Sequence, residues 1–473
     1  MKVVRPFYGS GWHDGETVVP IVDKYSGKQL GDVREMSLDD VTGALKALKS
    51  GQHSVTLSPY ERAQLLTSAA RALEGRIEQF AQCIVDDTGF TISDARVETK
   101  RAIQTLILTA EETKRLVGEM IPFDGSPAGA GRIGYTVFRP LGVVCAITPF
   151  NSPLNTVLHK VAPALGAGNA IALKPAELTP LTAQLLIELL LEVGFPPELI
   201  AFLPGSGETV GQALLESPIP DFYAFTGSTT VGAHIRAAIG IRPSQLEMGS
   251  IASTLICDDA NLDRAVPMCV DGAFRKAGQV CTSIQRLYVE DGCYDEVADR
   301  FIQVLGERHV GDPRDETTFV GPLITPEESE RVTSWIAESV SEGAQVVYES
   351  RGDGVPLGPT VLGNVSGANR MMNCEIFGPV VLLQRFSDFE AALADANATP
   401  FGLAAGIFTG NIARGLRAAE VLDFGSVHIN ATSSSRIDLM PFSGLKASGL
   451  GTEGPRYAIR EMSQERLITI GVP

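Results

Sequence analysis

Apolar residues recur at intervals of three or four along positions 58–119, and charged residues fill the positions between them. The recurring apolar positions are Leu65, Leu66, Ala69, Leu73, Ile77 and Ala81. This spacing places apolar side chains on one face of a helix. The segment therefore predicts long amphipathic helices.

After Gly142 the pattern changes to short β-branched runs that end in Gly, Pro or Asn, each followed by a helical stretch. The predicted strands are 143–148, 170–173, 199–203 and 222–225. Residues 181–193 are predicted as one connecting helix, because Pro180 precedes them and Gly194 follows. Repetition of strand, turn and helix predicts a parallel, doubly wound sheet.

A second series of strands is predicted at 255–257, 287–290, 346–348, 380–386, 404–408 and 426–430, again with helices between. Two packed α/β domains with a boundary near Gly249 account for both series. Extended segments at 132–140 and 466–470 belong to neither series. They either pair with a neighbouring subunit or join the core, and both alternatives stay open here.

Composition narrows the class of protein. The chain has 473 residues, with 39 basic and 56 acidic side chains and a net charge of −17. No basic cluster interrupts the acidic balance, which argues against nucleic-acid and anionic-membrane partners. The seven cysteines form no Cys-x-x-Cys pair, so neither disulfides nor a metal site is predicted. Without a signal-like or spanning apolar segment, the expected location is cytoplasmic.

Glycine is abundant, at 48 residues, and several glycine motifs are candidates for a nucleotide-binding turn. Residues 449–454 match G-x-G-x-x-G but follow no strand, and too few residues remain for a second βαβ unit. We interpret them as a turn before a helix near 456–461. The run 205–211 follows a strand and begins a helix, but its glycine spacing differs from G-x-G-x-x-G by one residue. It forms either a nucleotide-binding turn or an ordinary helix N-cap turn.

Two other segments are better placed to bind a nucleotide. Residues 225–232 end a strand in Gly227 and begin a helix with Ser228, and free N–H groups at such a helix start can hold a phosphate. Lys174 and Glu177 follow the strand 170–173, at the edge where ligands of doubly wound sheets bind. They can bond a ribose diol or form an ordinary surface pair.

One cysteine and one carboxylate have the setting expected of catalytic groups. Cys281 lies among small and polar residues, unlike the cysteines in apolar helical patterns, and such a thiol can act as a nucleophile. Glu247 lies between Leu246 and Met248, where burial would raise its pKa toward that of a general base. The alternatives are a structural cysteine and an exposed glutamate.

Taken together, ordered motifs from about residue 142 onward resemble the NAD(P)-dependent aldehyde dehydrogenase superfamily. The motifs are 148–154 (TPFNSPL), 174–177 (KPAE), 225–232 (FTGSTTVG), 246–249 (LEMG), 278–281 (GQVC), 375–380 (EIFGPV) and 441–444 (PFSG). The resemblance implies a dinucleotide-binding domain at 1–119 and 141–248 and a catalytic domain at 249–440. It also implies an oligomerisation arm and tail at 120–140 and 441–473, in a homodimer or homotetramer.

The resemblance assigns roles to individual residues. Cys281 would attack the aldehyde, Asn151 and the Cys281 N–H would hold the oxyanion, and Glu247 would activate water. The implied cofactor-binding residues are Thr148, Pro149, Lys174, Glu177, Gly207, Gly211, Phe225, Gly227, Ser228, Val231, Gly249, Glu375 and Phe377. A carboxylate at 177 repels a 2′-phosphate, so NAD is predicted over NADP.

Four positions depart from the family pattern: Phe150, Ser250, Cys374 and Ser443 stand where Trp, Gly, Glu and Gly are usual. None of them removes the nucleophile, the oxyanion donor or the base. Ser250 lies beside the predicted base and puts coenzyme affinity and rate in question.

The motifs at 148–154 and 436–441 look most like the branch that oxidises lactaldehyde, glyceraldehyde-3-phosphate, phosphonoacetaldehyde and semialdehydes. A small polar or anionic aldehyde is therefore expected, with an aromatic one left open. Pocket candidates are Arg101, His159, Ser283, Thr432, Ser433 and Arg436. The arginines can pair an anionic tail or serve in structural ion pairs. Acyl transfer to coenzyme A and an inactive scaffold remain the alternative functions.

Overall fold

The computed structural model describes residues 2–15, 17–352 and 354–471. Within these ranges the strands are β1 (Lys2–Val4), β2 (Phe7–Tyr8), β3 (Gly11–Trp12), β4 (Thr17–Val22), β5 (Gln29–Glu35), β6 (Met120–Ile121), β7 (Arg132–Pro140), β8 (Val143–Ile147), β9 (Ala170–Lys174), β10 (Ile200–Phe202), β11 (Phe222–Thr226), β12 (Ser244–Glu247), β13 (Ala252–Ile256), β14 (Ile284–Glu290), β15 (His309–Val310), β16 (Thr318–Val320), β17 (Gln345–Glu349), β18 (Thr360–Gly363), β19 (Val380–Phe386), β20 (Phe401–Gly402), β21 (Ala404–Phe408), β22 (Ser426–Ile429), β23 (Leu445–Lys446), β24 (Gly449–Leu450) and β25 (Ser463–Gly471).

The α-helices of the same ranges are α1 (Leu38–Ser54), α2 (Pro59–Glu74), α3 (Ile77–Thr88), α4 (Ile92–Arg115), α5 (Asn155–Ala167), α6 (Pro180–Glu192), α7 (Gln212–Glu216), α8 (Thr229–Ile239), α9 (Leu262–Phe274), α10 (Tyr294–Gly306), α11 (Pro326–Ser341), α12 (Arg370–Asn373), α13 (Phe389–Asn397), α14 (Ile412–Val421) and α15 (Pro455–Glu461). None of these helices is long and apolar enough to cross a bilayer.

An eight-stranded sheet forms the first layered unit, in the order β24-β12-β11-β8-β9-β10-β2-β3. Its strands from β12 to β10 are parallel, as the repeat of strand and helix predicts. Both faces are covered, so β8 and β9 are almost wholly buried, continuous apolar runs. The chain moves outward in opposite directions from β8, which opens a crevice at the carboxyl ends of the strands.

A seven-stranded sheet forms the second unit, in the order β17-β18-β19-β14-β13-β21-β22. All neighbouring strands run parallel except β17, which pairs antiparallel with β18. Every strand predicted from the second series lies in it. The predicted α/β class with two doubly wound units is confirmed.

The two extended segments outside the strand series pair with each other. β7 and β25 form a nine-residue antiparallel ladder from Pro140↔Ser463 to Arg132↔Gly471, and β6 adds a third strand. Their side chains are mostly exposed or half-buried, so the core alternative is excluded.

The rest of the tail contacts other parts of the fold. β24 extends the eight-stranded sheet by pairing Leu450 with Leu246, and β23 pairs with β20. α15 packs against α4 and α5. Only 463–471 of the tail joins the β6-β7-β25 sheet. The helix predicted near 456–461 is confirmed, with Gly454 as its N-cap.

Helices α2, α3 and α4 fill the amphipathic segment 58–119. Ser58 and Glu61 form a capping box around Pro59 at the start of α2, and Thr91 caps α4. The buried face of α4 is not wholly apolar, because Glu98 and Thr105 lie on it. Those polar positions direct α4 toward the site described below.

Candidate active site

A cavity of about 1110 Å³ lies in the crevice between the two sheets. It is lined by every residue that the sequence assigns to catalysis or cofactor binding: Cys281, Glu247, Asn151, Thr148, Pro149, Lys174, Glu177, Gly207, Gly211, Phe225, Gly227, Ser228, Val231, Gly249, Glu375 and Phe377. The structure thus brings together residues separated by up to 229 positions, from Thr148 to Phe377.

Parallel strands place the first half of this set. Asn151 follows β8, Lys174 ends β9, Gly227 and Ser228 follow β11, and Glu247 ends β12. Since these strands run in the same direction side by side, their carboxyl ends share one edge. Ser228 caps α8 by accepting from the Val231 N–H, while the N–H groups of Thr229 and Thr230 have no acceptor among the described residues.

The loop that carries Cys281 has an unusual backbone. Lys276, Ala277 and Gly278 all have left-handed φ angles, of 51°, 54° and 71°. A Cβ at Gly278 would stand 2.1 Å from the carbonyl oxygen of Gly378, so this glycine permits close packing on the segment that carries Phe377. Phe377 is itself left-handed at 51° and meets Phe150 edge-on. Such strain is typical of functional loops.

Cys281 and Glu247 form an electrostatically coupled pair. Glu247 is 4% exposed, and its buried Oε1 has no hydrogen-bond partner among the described residues. Burial, reinforced by the charge of Glu453, raises the pKa of Glu247. Burial and then the charge of Glu247 raise the pKa of the Cys281 thiol well above its usual value. A carboxylate with a raised pKa beside a protonated thiol is suited to accept its proton.

A buried network of ion pairs lies next to Cys281 and Glu247. Glu453 Oε1 lies 2.5 Å from Lys160 Nζ, and its Oε2 lies 2.9 Å from Nη2 of Arg436. The two cations hold the pKa of Glu453 below its usual range despite burial. The positive charge of Arg436 also opposes the rise in the pKa of both Cys281 and Glu247.

Two N–H donors adjoin the thiol. Asn151 Nδ2 donates to the carbonyl oxygen of Gln279 at 2.9 Å. Within the described ranges the Cys281 N–H donates to no protein acceptor. A side-chain amide and a free backbone N–H beside a nucleophile can stabilise an oxyanion.

A smaller cavity, of about 60 Å³, lies on the other side of Cys281. Of the six predicted pocket residues, only Arg101 and Arg436 line it. Both are already paired: Arg101 Nη2 lies 2.8 Å from Asp438 Oδ1, and Arg436 is held by Glu453. Ion pairing thus occupies the two arginines that the sequence offers for an anionic substrate.

The other four predicted pocket residues do not line this cavity, because their hydroxyl or ring groups are used inside the protein. His159 Nε2 lies 3.0 Å from Asp438 Oδ1, and Ser433 Oγ donates to Thr282 O. Ser283 Oγ donates to Ala273 O. Thr432 is buried against Gly272. None of these four side chains lines the smaller cavity, so their place in a substrate pocket stays a prediction.

Sequence reasoning missed Arg275, which lines the same cavity. Its Nε donates to Ser434 Oγ at 3.1 Å and its Nη2 to Ser434 O at 3.3 Å. Among the described residues no carboxylate lies within 4.0 Å of its guanidinium. The signal available was its position, shortly before the turn that leads to Cys281. Arg275 is therefore a pocket arginine whose charge is not neutralised by an adjacent acid.

The cavity fits the dinucleotide cofactor that the motifs imply. Its volume suits a large ligand. Lys174 and Glu177 lie 3.7 Å apart in its lining, which also includes Glu375 and Ser228, the N-cap of α8. At Gly249 a Cβ would come within 2.7 Å of the Glu375 carboxylate, so the glycine leaves room for that side chain. Ammonium, carboxylate and helix N–H groups match ribose and phosphate chemistry.

Comparison with known proteins gives one consistent result. The aldehyde dehydrogenase family model matches residues 12–468. A 3-sulfolactaldehyde dehydrogenase of Priestia aryabhattai is 38% identical over 461 residues, covering 98% of this chain and 96% of the relative.

Two solved structures are also close. Aldehyde dehydrogenase 21 from Physcomitrella patens, in complex with the product succinate, has a TM-score of 0.96 at 33% identity, covering 99% of this chain and 98% of that chain. An NADP-dependent glyceraldehyde-3-phosphate dehydrogenase from Bacillus halodurans, complexed with NADP, has a TM-score of 0.97 at 31% identity and covers 100% of both chains. The protein described here belongs to the aldehyde dehydrogenase family and is an NAD(P)-dependent oxidoreductase.

Proposed function

We propose that this enzyme oxidises a small aldehyde bearing an anionic group at its far end, and releases the carboxylic acid. The observation that carries the proposal is Arg275, a guanidinium without an adjacent acid in the cavity that also contains Cys281. A planar guanidinium binds carboxylate, sulfonate and phosphate groups well.

Cys281 is proposed as the nucleophile. Glu247, whose pKa is raised by burial, removes the thiol proton as sulfur attacks the aldehyde carbon. Asn151 Nδ2 and the Cys281 N–H then donate to the oxyanion that forms. NAD(P), when bound, supplies the hydride acceptor.

Once the adduct carbon has lost its hydride, Cys281 carries a thioester. Glu247, after it has released the thiol proton to solvent, is also proposed to activate the water that hydrolyses this thioester. Attack of that water on the Cys281 thioester releases the acid and restores the thiol. The buried, unpaired Oε1 of Glu247 leaves one carboxylate oxygen available for this role. Arg436, fixed by Glu453, balances the negative charge that Glu247 and Cys281 bring to the pocket.

Names and ligands of the relatives support an anionic substrate. One is named for a sulfonated aldehyde, one holds succinate, and one is named for a phosphorylated aldehyde. These three molecules share a small carbon chain and a terminal anion. That is the chemistry which Arg275 would recognise.

NAD is proposed as the preferred cofactor. The Glu177 carboxylate accepts a hydrogen bond from the Gly207 N–H and faces the ribose end of the groove beside Lys174. A 2′-phosphate there would meet this negative charge.

An aldehyde panel tests the proposed function. Wild type and Cys281→Ala are assayed for NAD reduction with succinic semialdehyde, glyceraldehyde-3-phosphate, butanal and benzaldehyde, and products are identified. We expect the free acid from the anionic aldehydes, without coenzyme A, and no turnover by Cys281→Ala. A product that forms only with coenzyme A, or preference for benzaldehyde or butanal, would overturn the proposal.

A further inference from the structure

We infer that Glu98 and Lys276 are positioning residues which hold Asn151 in register with Cys281. This inference rests on the proposed role of Asn151 as an oxyanion donor. Neither residue is proposed to touch the substrate or the reacting atoms. Their effect would be exerted through the backbone that carries Asn151.

Glu98 organises the segment that follows β8. Its Oε1 accepts from Ser152 Oγ at 3.0 Å, from the Leu154 N–H at 3.0 Å and from the Asn155 N–H at 3.2 Å. The carboxylate is 2% exposed and comes from the buried face of α4. One buried acid thus binds three of the four residues that follow Asn151.

Lys276 connects this segment to the cysteine loop. Its Nζ lies 2.5 Å from Glu98 Oε2 and donates to the Asn151 carbonyl oxygen at 2.8 Å. The lysine is itself fixed, because its N–H donates to Asp94 Oδ2 at 3.1 Å and its φ is left-handed. A buried ammonium held by a carboxylate and a carbonyl has little freedom to move.

Asn151 completes a closed ring of contacts. Its Nδ2 donates to Gln279 O, and Gln279 Nε2 donates to Lys276 O at 3.2 Å. The ring joins α4, the turn after β8 and the loop that carries Cys281. Replacing the Lys276 side chain would break its link to the Asn151 carbonyl and leave the Glu98 charge without its partner, while the link from Gln279 to the Lys276 carbonyl would remain.

Small displacements matter at this position. An oxyanion donor acts only within hydrogen-bond distance of the developing charge. Misplacement of about 1 Å can lower a rate by about 100-fold. The pair is therefore expected to affect kcat, through Asn151, with little change in KM.

A double-mutant cycle tests the inference. Lys276→Met and Asn151→Ala are made singly and together, and kcat, KM and Tm are measured with saturating NAD. We expect Lys276→Met to lower kcat by about 10-fold or more. In the Asn151→Ala background, Lys276→Met should lower kcat by less than about 3-fold, because the oxyanion donor is already absent.

Three further variants keep the test decisive. Glu98→Gln retains an oxygen for the Leu154 and Asn155 N–H groups but loses the charge. If Lys276→Met does not fold, Glu98→Gln replaces it, and its loss of kcat should likewise be smaller in the Asn151→Ala background. Lys276→Arg should recover most of kcat. Lys100→Met, on the exposed side of α4, should match wild type.

The outcomes distinguish failure of the proposed oxyanion role of Asn151 from failure of the positioning role of Glu98 and Lys276. If Asn151→Ala leaves kcat unchanged, the proposed oxyanion role is wrong. If Asn151→Ala is impaired but the losses from Lys276→Met or Glu98→Gln multiply independently with it, the positioning role alone is wrong.

Discussion

Arg436 Nη2 lies 2.9 Å from Glu453 Oε2, and both side chains are buried beside Cys281 and Glu247. This pairing decides which arginine is available to a substrate. Arg436 is paired with an acid, whereas the hydrogen bonds of the Arg275 guanidinium within the described residues go to Ser434 alone. Arg436 is therefore expected to act on the reacting groups, and Arg275 on the substrate.

Arg436→Met should impair all aldehydes equally. The change removes one partner of buried Glu453 and the positive charge that offsets Glu247, so we expect a loss of about 3–5 kcal/mol in unfolding free energy. Lower kcat/KM should be seen for succinic semialdehyde and butanal alike. Denaturant unfolding and steady-state rates check this, with exposed Arg300→Met as the control. If kcat/KM fell only for succinic semialdehyde, Arg436 would instead be the residue that binds the anionic group of the substrate.

Glu247→Gln should separate the two halves of the reaction. An amide cannot activate water, so the thioester on Cys281 should accumulate. Rapid mixing should then show a burst of NADH of about one equivalent per active site, followed by turnover at least about 100-fold slower than wild type. Cys281→Ser, made in parallel, should give no such burst. A steady state without a burst in Glu247→Gln would mean that hydrolysis does not depend on this carboxylate.

Glu375 should make stability depend on pH. Burial raises its pKa to about 7, and the Ser250 N–H only partly offsets this. An acid with a raised pKa contributes stability that is full below its unfolded pKa near 4.5 and is lost as pH rises through 7. Glu375→Gln should remove that loss, so its Tm relative to wild type should be higher at pH 8 than at pH 5.

Thermal unfolding of the apo protein at both pH values measures this difference. Glu216→Gln, an exposed carboxylate on α7, serves as the matched control. Identical pH dependence of Tm in wild type and Glu375→Gln would contradict the prediction.

Glu177→Gln should relax cofactor choice. With the carboxylate gone, a 2′-phosphate no longer meets a negative charge beside Lys174, so the ratio of kcat/KM for NADP over NAD should rise by about 10-fold. Glu208→Gln, a change of the same kind in the same cavity, should alter the ratio by less than about 3-fold. A wild type that prefers NADP would contradict the proposed role of Glu177.

Local sequence patterns predicted the parts of this enzyme that depend on local physics. Strands such as β8 and β9 are continuous apolar runs, and parallel strands end at one edge of their sheet, so the place of Lys174 at that edge followed from its position after a predicted strand. Asn151 was singled out only by the family resemblance and Glu247 by its apolar neighbours, and the strand β12 that carries Glu247 was not predicted. The short N-terminal strands β1 to β5 gave no comparable signal, because several are only two or three residues long.

Partnerships between distant residues could not be read from local pattern. Arg101 pairs with Asp438 across 337 positions, and Lys160 pairs with Glu453 across 293. Glu453 lies inside the G-x-G-x-x-G lookalike, which therefore contributes a buried carboxylate to the ion network beside Cys281. Arg275 and Arg436 look equally available in the sequence, and only their tertiary neighbours distinguish them.

The most direct test compares two aldehydes in two proteins. For wild type and Arg275→Met, kcat/KM is measured with succinic semialdehyde and with butanal, its uncharged analogue. Wild type should prefer the anionic aldehyde. Arg275→Met should lower kcat/KM for succinic semialdehyde by about 100-fold and change kcat/KM for butanal by less than about 3-fold. Equal losses on both aldehydes, or no preference in wild type, would contradict recognition of an anionic tail by Arg275.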